Sequence, residues 1–276
     1  MPEKQKISVL MSVYVKENPT FLRDAIKSVQ NQTLKPSELV LVEDGPLTPE
    51  LYQVLEEVEA QSDIPVKRCP LEQNQGLGLA LRYGVLQCQY DIIARMDTDD
   101  LAVPDRFEKQ LQLMEKEDLD LLGGHIAEFI DNPDEIVSYR RVPTQHADIV
   151  AYQRMRSAFN HMTVMFKKDM VLKAGNYEDG LYMEDDLLWL NMIAAGAKTG
   201  NLDQILCKVR VGAGMFERRG GSRYLKLYRQ ARQRMLERGQ ISYIEYAKSV
   251  AIQAIVALCP GFVRQFIFVK LLRKRK

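Results

Sequence analysis

Four short apolar runs, at residues 7–14, 38–43, 66–69 and 92–96, alternate with stretches whose apolar residues recur at helical spacing. This alternation constrains the fold more than any other feature of the chain. Buried strands separated by helices predict an α/β protein with a mostly parallel, doubly wound sheet. Turn chemistry agrees with the pattern. Thr48-Pro49-Glu50 has the order of a helix start: a capping hydroxyl, a proline in the first turn and an early acid. Leu51, Val54, Leu55 and Val58 follow on one helical face. Further helices are predicted from Pro19 to about residue 31, over 76–88, from Pro104 to about 117 and over 185–195, where Gly196 ends the run. Extended segments are predicted at 119–130, 160–167 and 205–211, with 132–141 a polar loop carrying a short edge strand. Helical periodicity dominates from Tyr224 onward.

In sheets of this kind, ligands bind beyond the carboxyl ends of the strands. Asp44 follows the second strand and Asp97 the fourth, so both are expected on one rim. The cluster Asp97-Thr98-Asp99-Asp100 carries the sharpest chemistry. Carboxylates crowded behind a buried strand repel one another and resist desolvation, and a hard divalent cation bridged to a phosphate relieves both problems. The competing reading is that they cap the helix after Pro104 or solvate a turn. Glu184-Asp185-Asp186 forms a second acidic group, suited to a general base. Acids at a helix N-terminus are also stabilised there by the macrodipole. Asn74-Gln75-Gly76-Leu77-Gly78 precedes a helix whose N-terminus favours phosphate, but it completes neither a dinucleotide fingerprint nor a P-loop. Arg218-Arg219-Gly220-Gly221 offers guanidinium groups for a diphosphate, or a solvated loop. His161 is a candidate for substrate or acceptor contact, although a single histidine is more often structural.

Composition sets bounds on these readings. The chain has 276 residues, enough for one well-buried α/β domain with an appendage. A net charge of +1 argues neither for nor against nucleic acid globally, and no nucleic-acid partner is expected. Cys69, Cys88, Cys207 and Cys259 lack metal-ligand or CxxC spacing, so they read as reduced, mostly buried thiols of a cytoplasmic protein. The first residues lack the apolar core of a secretory leader, so none is expected.

Taken in order, the motifs resemble glycosyltransferase family 2, the inverting enzymes with the A-type glycosyltransferase fold, and in particular the bacterial surface-polysaccharide subgroup that includes amylovoran-type enzymes. The resemblance rests on residues 8–14 with Glu17, Ser28-Val29, Gln32-Thr33, the strand 39–45 ending in Asp44-Gly45, Asn74-Gln75-Gly76-Leu77, Ala80-Leu81, residues 95–100, Pro104, Arg106-Phe107, Gly175-Asn176-Tyr177, and Glu184-Asp185 with Leu188-Trp189-Leu190. It covers roughly residues 7–215.

The resemblance implies roles. Asp44 would meet the base or ribose of a UDP-sugar, with Gly76 beside it. Asp97 and Asp99 would engage the ribose, the diphosphate and Mg2+ or Mn2+, with Asp100 assisting. Asp185 would be the catalytic base, while Glu184 and His161 would lie toward the acceptor. Arg218 or Arg219 would hold the leaving diphosphate. A catalytic domain at 1–215 is expected, with a nucleotide-binding half at 1–103, an acceptor-binding half at 104–215 and a basic, helical extension at 216–276. The Gln-x-x-Arg-Trp motif of processive synthases is absent, since the single tryptophan, Trp189, stands in another context. Transfer of one sugar is therefore expected.

Two other readings stay open on the sequence. A sugar-phosphate nucleotidyltransferase also has an acid-rich sheet rim, although it usually carries a glycine- and arginine-rich loop where this chain has Val15-Lys16-Glu17-Asn18. A non-catalytic, membrane-peripheral protein keeping the fold is the other. Residues 249–263 carry no charge, and 270–276 hold five cations. Pro260-Gly261 breaks the run, so an interfacial helix with a basic anchor for anionic lipid is expected on the cytoplasmic face of the inner membrane. A helix packed on the core with a solvated basic end is the alternative. A polyprenyl-diphosphate-linked acceptor would suit the peripheral location.

Overall fold

A computed structural model of the protein describes residues 5–179, 183–212 and 221–259. The chain runs β1 (Ile7–Val13), α1 (Pro19–Gln30), β2 (Glu38–Glu43), α2 (Pro49–Gln61), β3 (Val66–Pro70), α3 (Leu77–Gln87), β4 (Ile92–Arg95), β5 (Leu101–Ala102), α4 (Arg106–Glu117), β6 (Leu121–Phe129) and β7 (Ile136–Arg140). It continues through α5 (His146–Gln153), a 3-10 turn (His161–Thr163), β8 (Met165–Lys167), α6 (Lys168–Lys173), α7 (Glu184–Ala194), β9 (Thr199–Arg210), α8 (Gly221–Glu237) and α9 (Tyr243–Leu258).

Among the described residues one nine-stranded sheet runs in the order β3-β2-β1-β4-β8-β6-β9-β5, with β7 also paired to β6. The first four strands in that order are parallel, as the βα alternation predicts. β8 then enters antiparallel between β4 and β6, so the second half of the sheet is mixed. β6 and β9 pair in parallel, and β5 lies antiparallel to β9.

Each face of the sheet has its own core. Alternation along β1 sends Val9, Met11 and Val13 toward α1 and α2, while Leu10 packs with Val40 and Val42 against α3. Gly84 of α3 lies where a Cβ would come 2.4 Å from Leu10, so the absent side chain lets helix and sheet approach. The helices start as the sequence predicts. Asn18 Oδ1 accepts from the Thr20 and Phe21 amides, and Thr48 Oγ1 accepts from the Leu51 amide.

β9 begins six residues before the predicted 205. Its opening stretch, Thr199 to Gln204, is polar and has no alternation to read. It pairs because Asn201 is buried and donates to the Pro143 and Ala158 carbonyls, and because the β6–β9 register shifts near His125. A third core joins α7 to the C-terminal hairpin through Met183, Leu187, Leu190, Ala231, Met235 and Ile241. Arg232 fastens that hairpin. Its buried guanidinium donates to Ser249 Oγ on α9 at 3.0 Å and to the Arg154 carbonyl after α5. Cys69, Cys88 and Cys207 are buried, and Cys259 is partly exposed.

Candidate active site

Asp44 is buried where β2 ends, and its carboxylate is built into the fold. Oδ1 accepts from the Gln75 amide at 2.7 Å, and Oδ2 accepts from the Gly76 amide at 3.0 Å and Asn74 Nδ2 at 2.9 Å. These bonds join the loop after β2 to the N-terminus of α3. They use three of about four acceptor positions on the carboxylate. Gly76 has φ +87°, a value costly for other residues, and a Cβ there would meet nothing within 4 Å. The loop therefore leaves open space beside the first turn of α3.

That helix also positions the second acidic group. Arg82 Nη1 donates to the Tyr177 carbonyl at 2.9 Å, and Asn176 Nδ2 donates back to the Arg82 carbonyl at 3.0 Å. A Cβ on Gly78 would come 2.4 Å from the Glu178 carbonyl and 2.9 Å from Glu184 Cβ. Asn176 and Tyr177 are thus bonded to α3 at Arg82, while the first turn of α3, which holds Asp44, lies against Glu184 at the start of α7.

The third group follows β4. One carboxylate oxygen each from Asp97, Asp99 and Asp100 lies within 4.8 Å of the others. Asp100 is buried, and its Oδ1 accepts from the Arg210 amide at 2.9 Å. Burial, then the Asp99 and Asp97 charges, push its carboxyl well above the ordinary aspartate range. The protein thus leaves like charges crowded at a strand's end, and oxygen donors of this kind suit Mg2+ or Mn2+.

Buried side chains brace this strand end. Arg106 donates to the Arg95 carbonyl at 2.8 Å and the Val164 carbonyl at 3.3 Å, and Gln110 Oε1 accepts from Arg106 Nε. Gln32 donates to the Val103 carbonyl at 2.7 Å and accepts from the Phe107 amide at 3.1 Å, holding the turn that follows the acids.

Arg95 connects the acidic groups. It is buried and paired with Asp97. Its positive charge also favours ionisation of Glu184 and Asp185, and the Asp97 charge in turn opposes that of Glu184. The two acidic turns, nearly ninety residues apart in sequence, are therefore electrostatic neighbours.

The three acids of α7 differ in their environments. Asp186 accepts from Gln153 Nε2 at 2.7 Å and so pins α7 to α5. Asp185 is partly exposed. Burial, then Asp186 and Glu184, hold its carboxyl well above the usual range. Burial raises Glu184 as well.

His161, expected toward the acceptor, is enclosed by the fold. Its ring is buried among Tyr177 and Trp189, with Nε2 2.8 Å from the Tyr177 hydroxyl. Burial and then Arg95 hold it well below the usual histidine range, so it is neutral near pH 7. A neutral, enclosed imidazole supports the loop before α7 and presents no charge to a phosphate. Arg218 and Arg219 lie outside the described residues.

Residues 8–172 match the family described as Glycosyl transferase family 2, well over half of the chain. The chain is a family 2 glycosyltransferase. It is 39% identical to the amylovoran biosynthesis glycosyltransferase AmsE of Erwinia amylovora, over 95% of this chain and 98% of that one. It is 34% identical to the UDP-Gal:alpha-D-GlcNAc-diphosphoundecaprenol beta-1,3-galactosyltransferase of Escherichia coli, over 98% of this chain and 97% of that one. The mannosyltransferase PcManGT from Pyrobaculum calidifontis, solved with GDP-Man and Mn2+, has a TM-score of 0.66 at 13% identity, over 98% of this chain and 81% of that one. The fold of this glycosyltransferase is accordingly the A-type expected from its motifs.

Two features of the glycosyltransferase were not read from its sequence. Arg95 interrupts an otherwise apolar strand, and a cation in such a run was the available signal. Arg210 ends β9 with its guanidinium 3.7 Å from the Phe21 ring centroid and 4.7 Å from that of Phe129, while its amide holds Asp100. Only the tertiary fold brings those three residues together.

Proposed function

We propose that this enzyme transfers one sugar, with inversion, from a UDP-sugar to a hydroxyl of a polyprenyl-diphosphate-linked glycan in bacterial surface-polysaccharide assembly. The observation that carries the reading is the convergence of the Asp97, Asp99 and Asp100 oxygens within 4.8 Å. They share a sheet rim with Asp44 and are electrostatic neighbours of the α7 acids. The donor and acceptor classes follow from the Escherichia coli relative, whose name specifies UDP-galactose and a diphosphoundecaprenol acceptor. The polysaccharide role follows from the amylovoran relative.

Asp97 and Asp99 would hold Mg2+ or Mn2+, with Asp100 behind them. Such an ion, when bound, neutralises the donor diphosphate and the charge that develops on the leaving group. Asp44 has an acceptor position left for the base or ribose, and Gly76 leaves room for the nucleotide. Asp185 accepts the proton of the attacking hydroxyl, which approaches the anomeric carbon opposite the departing UDP. One displacement inverts that centre, and no covalent enzyme intermediate forms. Glu184 orients the acceptor, and Arg218 or Arg219 would hold the leaving diphosphate. Residues 1–103 thus serve the nucleotide and 104–215 the acceptor. The enzyme would work peripherally at the cytoplasmic face of the inner membrane.

A panel of nucleotide sugars with Mn2+ and a short-chain polyprenyl-diphosphate acceptor tests this directly. UDP should be released with one UDP-sugar, and the product should be longer by one residue with inverted configuration. Release from a GDP- or dTDP-sugar alone would overturn the donor assignment.

A further inference from the structure

Helix α9 has two unlike faces. Ser249, Val256 and Ala257 are buried, and Ser249 receives the Arg232 bond from α8. On the opposite side Ile244 is 64% exposed, Ile252 57%, Ile255 68% and Leu258 65%. These positions, with the exposed Ala247, Lys248 and Ala251, follow a helical repeat and make one continuous stripe. Four large aliphatic side chains on one exposed helical face call for a partner.

The charge of the C-terminal part of the sequence identifies that partner. Lys248 lies within it, and no Asp or Glu occurs from Tyr246 to the C-terminus. The chain beyond α9 continues through residues 260–276 with Phe262, Phe266, Phe268 and Leu271 among its apolar residues and six cations. The helix paired with α9 is basic as well, with Arg223, Lys226 and Arg229 exposed. The one acid of α9, Glu245, is tied into its first turn by Ser242, and an anionic leaflet uses both the aliphatic stripe and the surplus of cations. Among the described residues no helix is long and apolar enough to cross a membrane.

We propose that the outward stripe of α9 seats the enzyme on an anionic phospholipid surface, inserting Ile244, Ile252, Ile255 and Leu258 beneath the headgroups. This names the surface that would carry the peripheral location proposed above. α8 and α9 pack on α7, the helix that bears Asp185, so docking there would fix the catalytic rim relative to the bilayer.

The test is flotation of the purified full-length protein with vesicles of phosphatidylcholine alone or mixed with phosphatidylglycerol. The wild-type protein should bind the mixed vesicles, less so as salt rises. Ile252→Glu/Ile255→Glu should lower binding by at least about tenfold, with circular dichroism and Tm unchanged. Ile252→Ala/Ile255→Ala should weaken binding in the same direction and serves if the glutamates impair folding. The proposal is overturned if wild type fails to bind. It is also overturned if both double variants bind like wild type, which would assign docking to residues 260–276. A wild-type dimer that the variants split, with vesicle binding intact, would assign the stripe to a second copy of the chain. UDP release measured without vesicles separates this result from the fate of the transfer reading.

Discussion

Replacing Asp185 by asparagine is expected to lower kcat by about 10²–10⁴-fold, the range for loss of a general base, while donor affinity stays near that of wild type. The substitution keeps the size and polarity of the side chain at the start of α7 and removes only its basicity. Asp186 remains bonded to Gln153, so the helix keeps its place. A pH profile adds a second readout. Burial and the neighbouring acids raise the Asp185 carboxyl, so the protonated, inactive form persists to higher pH than for an ordinary aspartate. Wild-type activity should therefore climb with pH along a limb displaced upward from the usual aspartate range. The residual rate of Asp185→Asn should be flat across that limb. Turnover close to wild type would move the base elsewhere, with Glu184 the next candidate.

Asp99→Asn is expected to lower kcat by about 10²–10³-fold at saturating donor, as when charge stabilisation at a leaving group is lost. It should also shift the Mn2+ activation curve to higher concentration. Removing one negative charge also relieves repulsion on Asp100. The shift in Mn2+ dependence, read beside thermal unfolding of the metal-free proteins, separates a ligand role from a structural one. Chelation of the wild-type enzyme should mimic the variant and be reversed by added Mn2+. Equal Mn2+ dependence in both proteins would remove Asp99 from the site.

The parallel half of the sheet was readable because its strands are apolar and its helices carry local start signals such as Thr48-Pro49 and Asn18-Pro19. The acidic turn after β4 was readable for the same reason, since a buried strand ending in carboxylates is unusual in itself. The reach of β9 was not, because Asn201 pairs through carbonyls of two distant segments. The placement of His161 was equally hidden. Its environment depends on Tyr177 and Trp189, neither of them near it in the chain. Asp44 shows a further limit. Its position at the rim followed from strand order, but its three bonds to the Asn74–Gly76 turn did not. A residue called to a ligand from sequence is here also the clasp between two loops.

The account rests on a shared cleft between the turn after β4 and the first turn of α7, and a crystal structure with Mn2+ and UDP tests it most directly. The anomalous signal of manganese should fall among Asp97, Asp99 and the diphosphate, with the Asp185 carboxylate facing the open side of the β-phosphate. Manganese bound elsewhere, or a nucleotide seated away from Asp185, would contradict it.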